Sequence, residues 1–140
     1  MYVIDTNVVS ELRRASVANA NVVAWIDSVD RQTLFASAIM LHELEVGILR
    51  KERRDPAQGV IFRQWLTLDV IPMFEGRILA VDGEIAQLSA RFLVPDPLSL
   101  QDALIAATAL VHGMTVVTRN VPDFARAGVR LLNPWEPQSS

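Results

Sequence analysis

Asp5, Glu43, Asp102 and Asp123 are the residues of this chain whose type and placement could do chemistry together. Carboxylates gathered at one point are hard oxygen donors of the kind that hold Mg2+ or Mn2+ and suit zinc poorly. The first of them ends the apolar, β-prone run Tyr2-Val3-Ile4, which delivers Asp5-Thr6-Asn7 into a turn. In an open α/β sheet, ligands gather outside the carboxyl ends of the strands, so such a turn places acceptor oxygens where a site would be. The same three residue types are favoured helix N-caps, and both roles stay open on these residues alone. Asp102 follows Ser99 by three residues, a capping-box-like start to the apolar run Ala103 to Val111, and a cap and a ligand need not exclude each other. Glu43 falls on a helix face with Gly47, a small neighbour that leaves room for close approach. Val116-Val117-Thr118-Arg119-Asn120-Val121-Pro122-Asp123 repeats the opening pattern: a β-branched run, then polar residues in the following loop.

Convergence of these acids has a physical consequence. Carboxylates crowded without nearby cations raise one another's pKa unless a divalent ion neutralises them. An ion held there would favour hydrolysis of a phosphodiester, with one of the free carboxylates orienting the attacking water as general base.

Composition excludes several other classes. The chain has 140 residues, 51% of them hydrophobic, which is enough for one domain with a sizeable core. With no cysteine and only two histidines, His42 and His112, thiolate catalysis, disulfides and a Cys- or His-rich zinc site are out. The formal net charge of −3 argues against bulk electrostatic binding of nucleic acid but leaves room for a local phosphate-holding patch. No apolar run has the length of a membrane span or the layout of a signal peptide, so a soluble, cytoplasmic protein is expected.

The elements that must position the acids alternate between strand and helix periodicity, which predicts α/β layering. Strands are predicted at Tyr2 to Ile4, Leu34 to Ala36, Ile78 to Val81, Thr115 to Thr118 and Val129 to Leu132. Helices are predicted from Thr6 to near Arg13, from Asn19 or Asn21 to about Val29, from Ser37 to about Arg53 and from Asp55-Pro56 through Leu66. Two more are predicted from Asp82 to about Phe92 and from Ser99 to Gly113. Leu41, Leu44 and Ile48 form the expected core stripe of the Ser37 helix, with Glu45 exposed. One domain over 1–133 and a C-terminal tail over 134–140 that frays after Pro134 complete the expectation.

In this order and at these spacings the residues resemble a known family, the PIN-domain ribonucleases of the VapC type, toxins of type II toxin–antitoxin pairs. The matching segments are Val-Ile-Asp5-Thr6-Asn7, Ser37 with Glu43-Leu44-x-x-Gly47-Ile48, Asp102-Ala-Leu-Ile-Ala-Ala, and Val-Thr118-Arg119-Asn120-x-x-Asp123-Phe124. The resemblance implies a three-layer α/β fold with a central parallel sheet flanked by helices, an acidic Mg2+ or Mn2+ centre, an RNA substrate, a homodimer and a cognate antitoxin. Asp5, Glu43 and Asp102 match the three central acidic positions, and Thr6 and Thr118 the neighbouring polar ones. Many members carry an acid where this chain has Asn120, and Asp123, three residues on, is the candidate substitute. Arg119, beside the acidic loop, is a candidate contact to RNA.

Other readings fit less well. A phospho-aspartate enzyme needs a lysine beside its aspartate, whereas the single lysine, Lys51, falls in the basic helix end Arg50-Lys51-Glu52-Arg53-Arg54. No glycine-rich nucleotide cradle is present. Trp25, Phe62 and Trp65 suit core positions, or a partner groove if exposed, and the alternative to an enzyme is a catalytically inactive PIN-like scaffold that binds RNA or protein.

Overall fold

The β-branched and aromatic runs Tyr2–Ile4 (β1), Leu34–Ser37 (β2) and Thr115–Val117 (β4) pair in parallel, in the computed structural model, which describes residues 1–138. Ile78–Leu79 (β3) and Leu131–Leu132 (β5) complete a sheet of order β3-β2-β1-β4-β5, parallel throughout. Both outer strands are shorter than their apolar sequence predicts. β3 stops at Leu79 because its partner β2 ends at Ser37, where the next helix begins. Val129 is buried, but its segment joins the ladder in earnest only at Leu131, opposite Val116.

Successive side chains on a strand face opposite sides, and β1 shows it: Val3 belongs to one apolar core and Ile4 to the other. On the Ile4 side lie Thr6–Leu12 (α1), Ala20–Ser28 (α2), Ala38–Arg54 (α3) and Pro56–Trp65 (α4). The Val3 side is covered by Leu100–His112 (α7), against which Gly83–Ala90 (α6) packs. The result is the expected three-layer α/β fold. α7 buries Ala103, Ile105, Ala106, Ala107, Thr108 and Ala109, and its small side chains let the helix lie close on the sheet. It ends at Gly113, whose φ of 67° is left-handed.

Most predicted starts are built as caps. Asn19, Ser37, Asp55, Asp82 and Ser99 each accept a backbone N–H in the first turn of the helix they precede. The stripe of α3 differs slightly: Met40, Leu44 and Ile48 are buried, while Leu41 is half-buried. Glu45 is engaged rather than free, since Arg63 of α4 reaches it at 2.6 Å and Glu52 at 3.0 Å. α4 continues through a π turn, Leu66–Val70, into Ile71–Met73 (α5). Pro72 cannot donate to the helix ladder, and the wider turn just before it, with Ile71 N–H bonded to Leu66 O, absorbs the mismatch.

The connection between α1 and α2 is held by an acid that sequence patterns did not single out. Glu11 is buried and accepts from Asn19 N–H at 2.8 Å and from Arg14 at 3.1 Å, so its pKa lies below the ordinary value, first through the Asn19 bond and then through Arg14. At the other end, Pro134 is buried, Trp135 packs on the Ile4-side core, and Asn21 donates to Trp135 O at 2.8 Å. Trp135 is thus packed at the start of the expected tail; residues 139–140 lie outside the described part. No described helix is long and apolar enough to cross a membrane.

Candidate active site

The sheet order sets where a site can form. From β1 the chain builds outward to β2 and β3, then returns to add β4 and β5 on the other side. A crevice opens at such a reversal, outside the carboxyl ends of the two strands that flank it. Those ends carry Asp5 on β1 and Thr118 on β4.

Asp5 extends the ladder by donating its N–H to Val117 O at 2.9 Å. One carboxylate oxygen accepts from Thr6 N–H at 2.8 Å, which caps α1. The other accepts from the Thr118 hydroxyl at 2.8 Å and from Asn7 Nδ2 at 3.3 Å. Asp5 thus fills both of the roles that the sequence left open, cap and crevice acid. It is only 5% exposed, and Thr118 is fully buried. Thr118 also accepts Asn120 N–H at 3.0 Å, while Asn7 Oδ1 accepts Arg119 N–H at 3.3 Å, so a small polar network fixes the Asp5 carboxylate between the strands.

Glu43, half-buried on α3, accepts from the Thr6 hydroxyl at 3.0 Å. Gly47 one turn on leaves open space, since a Cβ there would meet nothing within 4 Å. In the first turn of α7, Asp102 N–H donates to Ser99 Oγ at 3.1 Å. Among the described residues no bond returns from the Ser99 N–H to the Asp102 carboxylate, so the capping box is half closed and this acid lines an open cavity of about 330 Å³. Asp123 lines the same cavity, brought there because 121–124 forms a one-turn helix, Val121–Phe124 (α8), where the sequence suggested a loop. Asn120 precedes that turn and is exposed; its backbone joins the network through Thr118, and its side chain makes no hydrogen bond among the described residues.

Electrostatics couples these groups. Asp5 is pushed above the ordinary Asp value chiefly by burial, opposed by the Thr118 and Thr6 hydrogen bonds and reinforced by the charges of Asp102 and Asp123. Glu43 is raised by burial, against the Thr6 bond, and further by Asp5 and Asp102. Burial also raises Asp102, opposed by Ser99 and aided by Asp123. Asp5 is thus raised by the charges of Asp102 and Asp123, Glu43 by those of Asp5 and Asp102, and Asp102 by that of Asp123, while no ion pair neutralises any of the four among the described residues. Nor do three acidic or imidazole side chains close to ligand distance there. Mutual repulsion opposes such closure until a cation compensates it. The donor set, all carboxylate and hydroxyl oxygen with neither thiolate nor imidazole, fits a hard divalent ion.

Arg119 sits apart from this cavity: its guanidinium lies 5.2 Å from the centre of the Trp135 ring. Trp25 is core, packed edge-on against Tyr2 at 5.0 Å. Phe62 and Trp65 are half-buried and line a second groove with Glu43, Thr6, Arg13 and Lys51, in which Arg13 stacks 4.2 Å over Phe62. Arg126, on the turn Ala125–Ala127, lines the cavity with Asp102 and Asp123, and no sequence pattern pointed to it.

Comparison with known proteins agrees with this fold. The PIN domain family model matches residues 2–129. The chain is 39% identical to VapC ribonuclease Y4jK of Sinorhizobium fredii over 98% of its own length and 99% of that protein's. It is 34% identical to toxin FitB of Neisseria gonorrhoeae, with 96% and 99% covered. Among solved structures, FitAB bound to an IR36 DNA fragment superposes with a TM-score of 0.87 at 32% identity, covering 99% of each chain.

Proposed function

The chain belongs to the PIN-domain family, and on that premise we propose that it is a divalent-metal-dependent endoribonuclease and the toxin of a type II toxin–antitoxin pair. The observation that carries this reading is the set of four uncompensated carboxylates at the β1–β4 crevice, three of them with raised pKa values. The names of the relatives, a ribonuclease and a toxin, supply the substrate class and the biological role.

In this reading Asp5, Asp102 and Glu43 hold Mg2+ or Mn2+, with Asp123 completing the acidic centre in place of Asn120. When bound, such an ion supplies positive charge to the phosphoryl group being attacked. Asp5 is held rigid by Thr118 and Asn7, so it contributes a fixed oxygen rather than a mobile one. Glu43 is oriented by Thr6 and is only half-buried, and its raised pKa brings it closer to the range in which a carboxylate exchanges protons at working pH. The base that orients the attacking water and takes its proton is a carboxylate of the set that the ion leaves free. Asp123, exposed on its turn, faces the side of the cavity open to a polynucleotide.

The partners of the proposal are RNA, an antitoxin and a second copy of the chain, in the cytoplasm. The groove beside Glu43, with its aromatic floor of Phe62 and Trp65, is where an antitoxin segment could reach and silence the acidic centre. The test is incubation of antitoxin-free protein with single-stranded and structured RNA, with Mg2+, with EDTA, and as Asp5→Asn. Cleavage by the wild type alone, abolished by EDTA and reduced at least 100-fold by Asp5→Asn, is expected, on the order of the loss seen when a charge-stabilising group is removed from a site. Cleavage that survives both changes refutes the metal-nuclease reading, and no cleavage of any RNA favours a binding scaffold.

A further inference from the structure

Arg126 is the single cationic residue lining the cavity that holds Asp102 and Asp123. Its guanidinium does not pair with either of them: no ion pair involves Arg126 among the described residues. Instead, Nη1 donates to the backbone carbonyl of Asp96 at 2.8 Å and Nη2 to that of Pro97 at 3.3 Å. Two neutral acceptors on one side of the planar group fix its orientation without cancelling its charge. A flexible arginine in a cavity with two carboxylates would be drawn onto one of them; here the 96–97 backbone holds it off. The cavity thus presents acids on one wall and a fixed, uncompensated cation on another.

That arrangement suits a phosphodiester chain. Guanidinium donors match phosphate oxygens, and a cation anchored beside an acidic centre can hold a phosphate in register without neutralising the acids. The cavity also continues. Arg126 and Leu98 form a shared wall with a neighbouring cavity of about 160 Å³, whose lining also includes Arg91, Phe92 and Asp96. A cationic track interleaved with an aromatic face is what single-stranded nucleic acid requires: charge for the backbone and a flat apolar surface for a base.

We propose that Arg126 holds a phosphate flanking the scissile bond, and that the RNA strand runs from the acidic centre over Arg126 toward Arg91 and Phe92. This rests on the nuclease reading above, and it assigns a substrate-positioning residue and a direction to the bound strand. Arg126 binds substrate, whereas the acids carry out the reaction. The competing explanation is that Arg126 is only a brace for the 96–97 loop.

Equilibrium binding separates the two. The full-length chain is titrated in EDTA, where it does not turn over, against a fluorescein-labelled single-stranded RNA oligonucleotide between 50 and 200 mM salt. The variants are Arg126→Gln, Arg126→Lys and, as a control in the turn just before β2 on the other half of the sheet, Arg31→Gln. Arg126→Gln is expected to weaken binding about tenfold, the size of a charge-assisted hydrogen bond lost, and to flatten the slope of log K against log salt by about 0.7, one phosphate contact on a single strand. Arg126→Lys keeps the charge and is expected to retain the wild-type slope; Arg31→Gln is expected to match the wild type. With Mg2+ present, KM for RNA rises about tenfold in Arg126→Gln while kcat changes less. A wild type that cleaves RNA while Arg126→Gln shows its Kd and salt slope overturns the proposal and leaves the nuclease reading intact. A wild type that neither binds nor cleaves RNA overturns both. If Arg126→Gln does not fold, Arg91→Gln on the same path decides: a slope flattened by about 0.7 supports the proposal, and a wild-type Kd and slope overturn it.

Discussion

Thr118→Val removes one hydroxyl from the centre of the network while nearly keeping the side chain's shape, so its consequences can be worked from the structure. Thr118 is fully buried and donates to Asp5 Oδ2 at 2.8 Å. A hydrogen bond to a charged group contributes about 1.5–3 kcal/mol, against about 1 kcal/mol for a neutral pair. Valine leaves that oxygen with only the longer Asn7 contact of 3.3 Å. The Asn120 N–H also loses its acceptor, but Asn120 is exposed and water can replace it. The expected loss is therefore about 2 kcal/mol while Asp5 is ionised. Unfolding entropy of about 2.1 cal/mol/K per residue makes this about 7 °C in Tm for 140 residues. Thr118→Ser keeps the hydroxyl and loses one buried methyl, about 1 kcal/mol. The sign of the pH dependence follows from Asp5, whose pKa is raised chiefly by burial and held down most by Thr118. The extra strength of the bond exists only above Asp5's folded pKa and is lost as pH falls through it. Thermal unfolding in EDTA should thus rank wild type, then Ser, then Val at pH 8, with Val and Ser converging on acidification. A valine variant as stable as serine at pH 8, or one whose deficit grows toward acid, would show that the Thr118 hydroxyl does not support an ionised Asp5.

The remaining expectations concern the whole site and helices α3 and α4. Asp5, Glu43 and Asp102 all have folded pKa values above their unfolded ones, so folding takes up protons, and these acids destabilise the metal-free protein above that range. In EDTA, Tm should rise as pH is lowered from 8 toward the folded pKa values of these acids, until the opposite contribution of Glu11, whose pKa is lowered, begins to be lost. At pH 8 a divalent ion at a hundredfold excess over its Kd should add about 2.7 kcal/mol, roughly 9 °C; a Tm indifferent to Mg2+ and Mn2+ counts against the metal site. On α3, Gly47→Ala places a Cβ in open space and should stabilise by about 0.5–1 kcal/mol through helix propensity. Gly59→Ala sets a Cβ 2.6 Å from Glu52 Cα, a backbone atom of α3 that cannot swing aside, and should destabilise by about 1–3 kcal/mol despite the same propensity gain. Chemical denaturation of the two variants checks both signs.

What was legible in the sequence followed from strong local signals. The runs at Tyr2–Ile4 and Thr115–Val117 and the caps at Asn19, Ser37, Asp82 and Ser99 fall where their side chains dictate. Edge strands were overestimated because a strand ends where its neighbour leaves the sheet, and no residue of β3 encodes the point at which β2 becomes α3. The site divides in the same way. Asp5 and Asp102 announce themselves by position, one ending a strand and one opening a buried helix. Glu11 and Arg126 do not, because their meaning comes from partners eight or about thirty residues away, a backbone N–H at 19 and carbonyls at 96 and 97. That Asp123 rather than Asn120 lines the cavity lay below the reach of pattern, since it turns on whether residues 121–124 coil into a helical turn.

Burial is graded across the four acids, and the grading bears on how they divide the work. Asp5 is buried and held from three donors; Glu43 and Asp102 are half-buried, each beside one hydroxyl; Asp123 is exposed. A rigid, buried carboxylate contributes a fixed reference point at the cost of its own desolvation, a cost that the Thr118 and Thr6 hydrogen bonds oppose. The exposed end pays no such penalty and can adapt to a flexible polynucleotide. Loss of Asp5 should therefore abolish the site's geometry, whereas loss of Asp123 should weaken it in proportion to substrate contact. The order of severity Asp5, then Glu43 and Asp102 alike, then Asp123 for the corresponding amide variants, measured as kcat/KM on one RNA, would follow burial. An order unrelated to burial would show that anchoring by the β1–β4 crevice is not what makes these acids act as a unit.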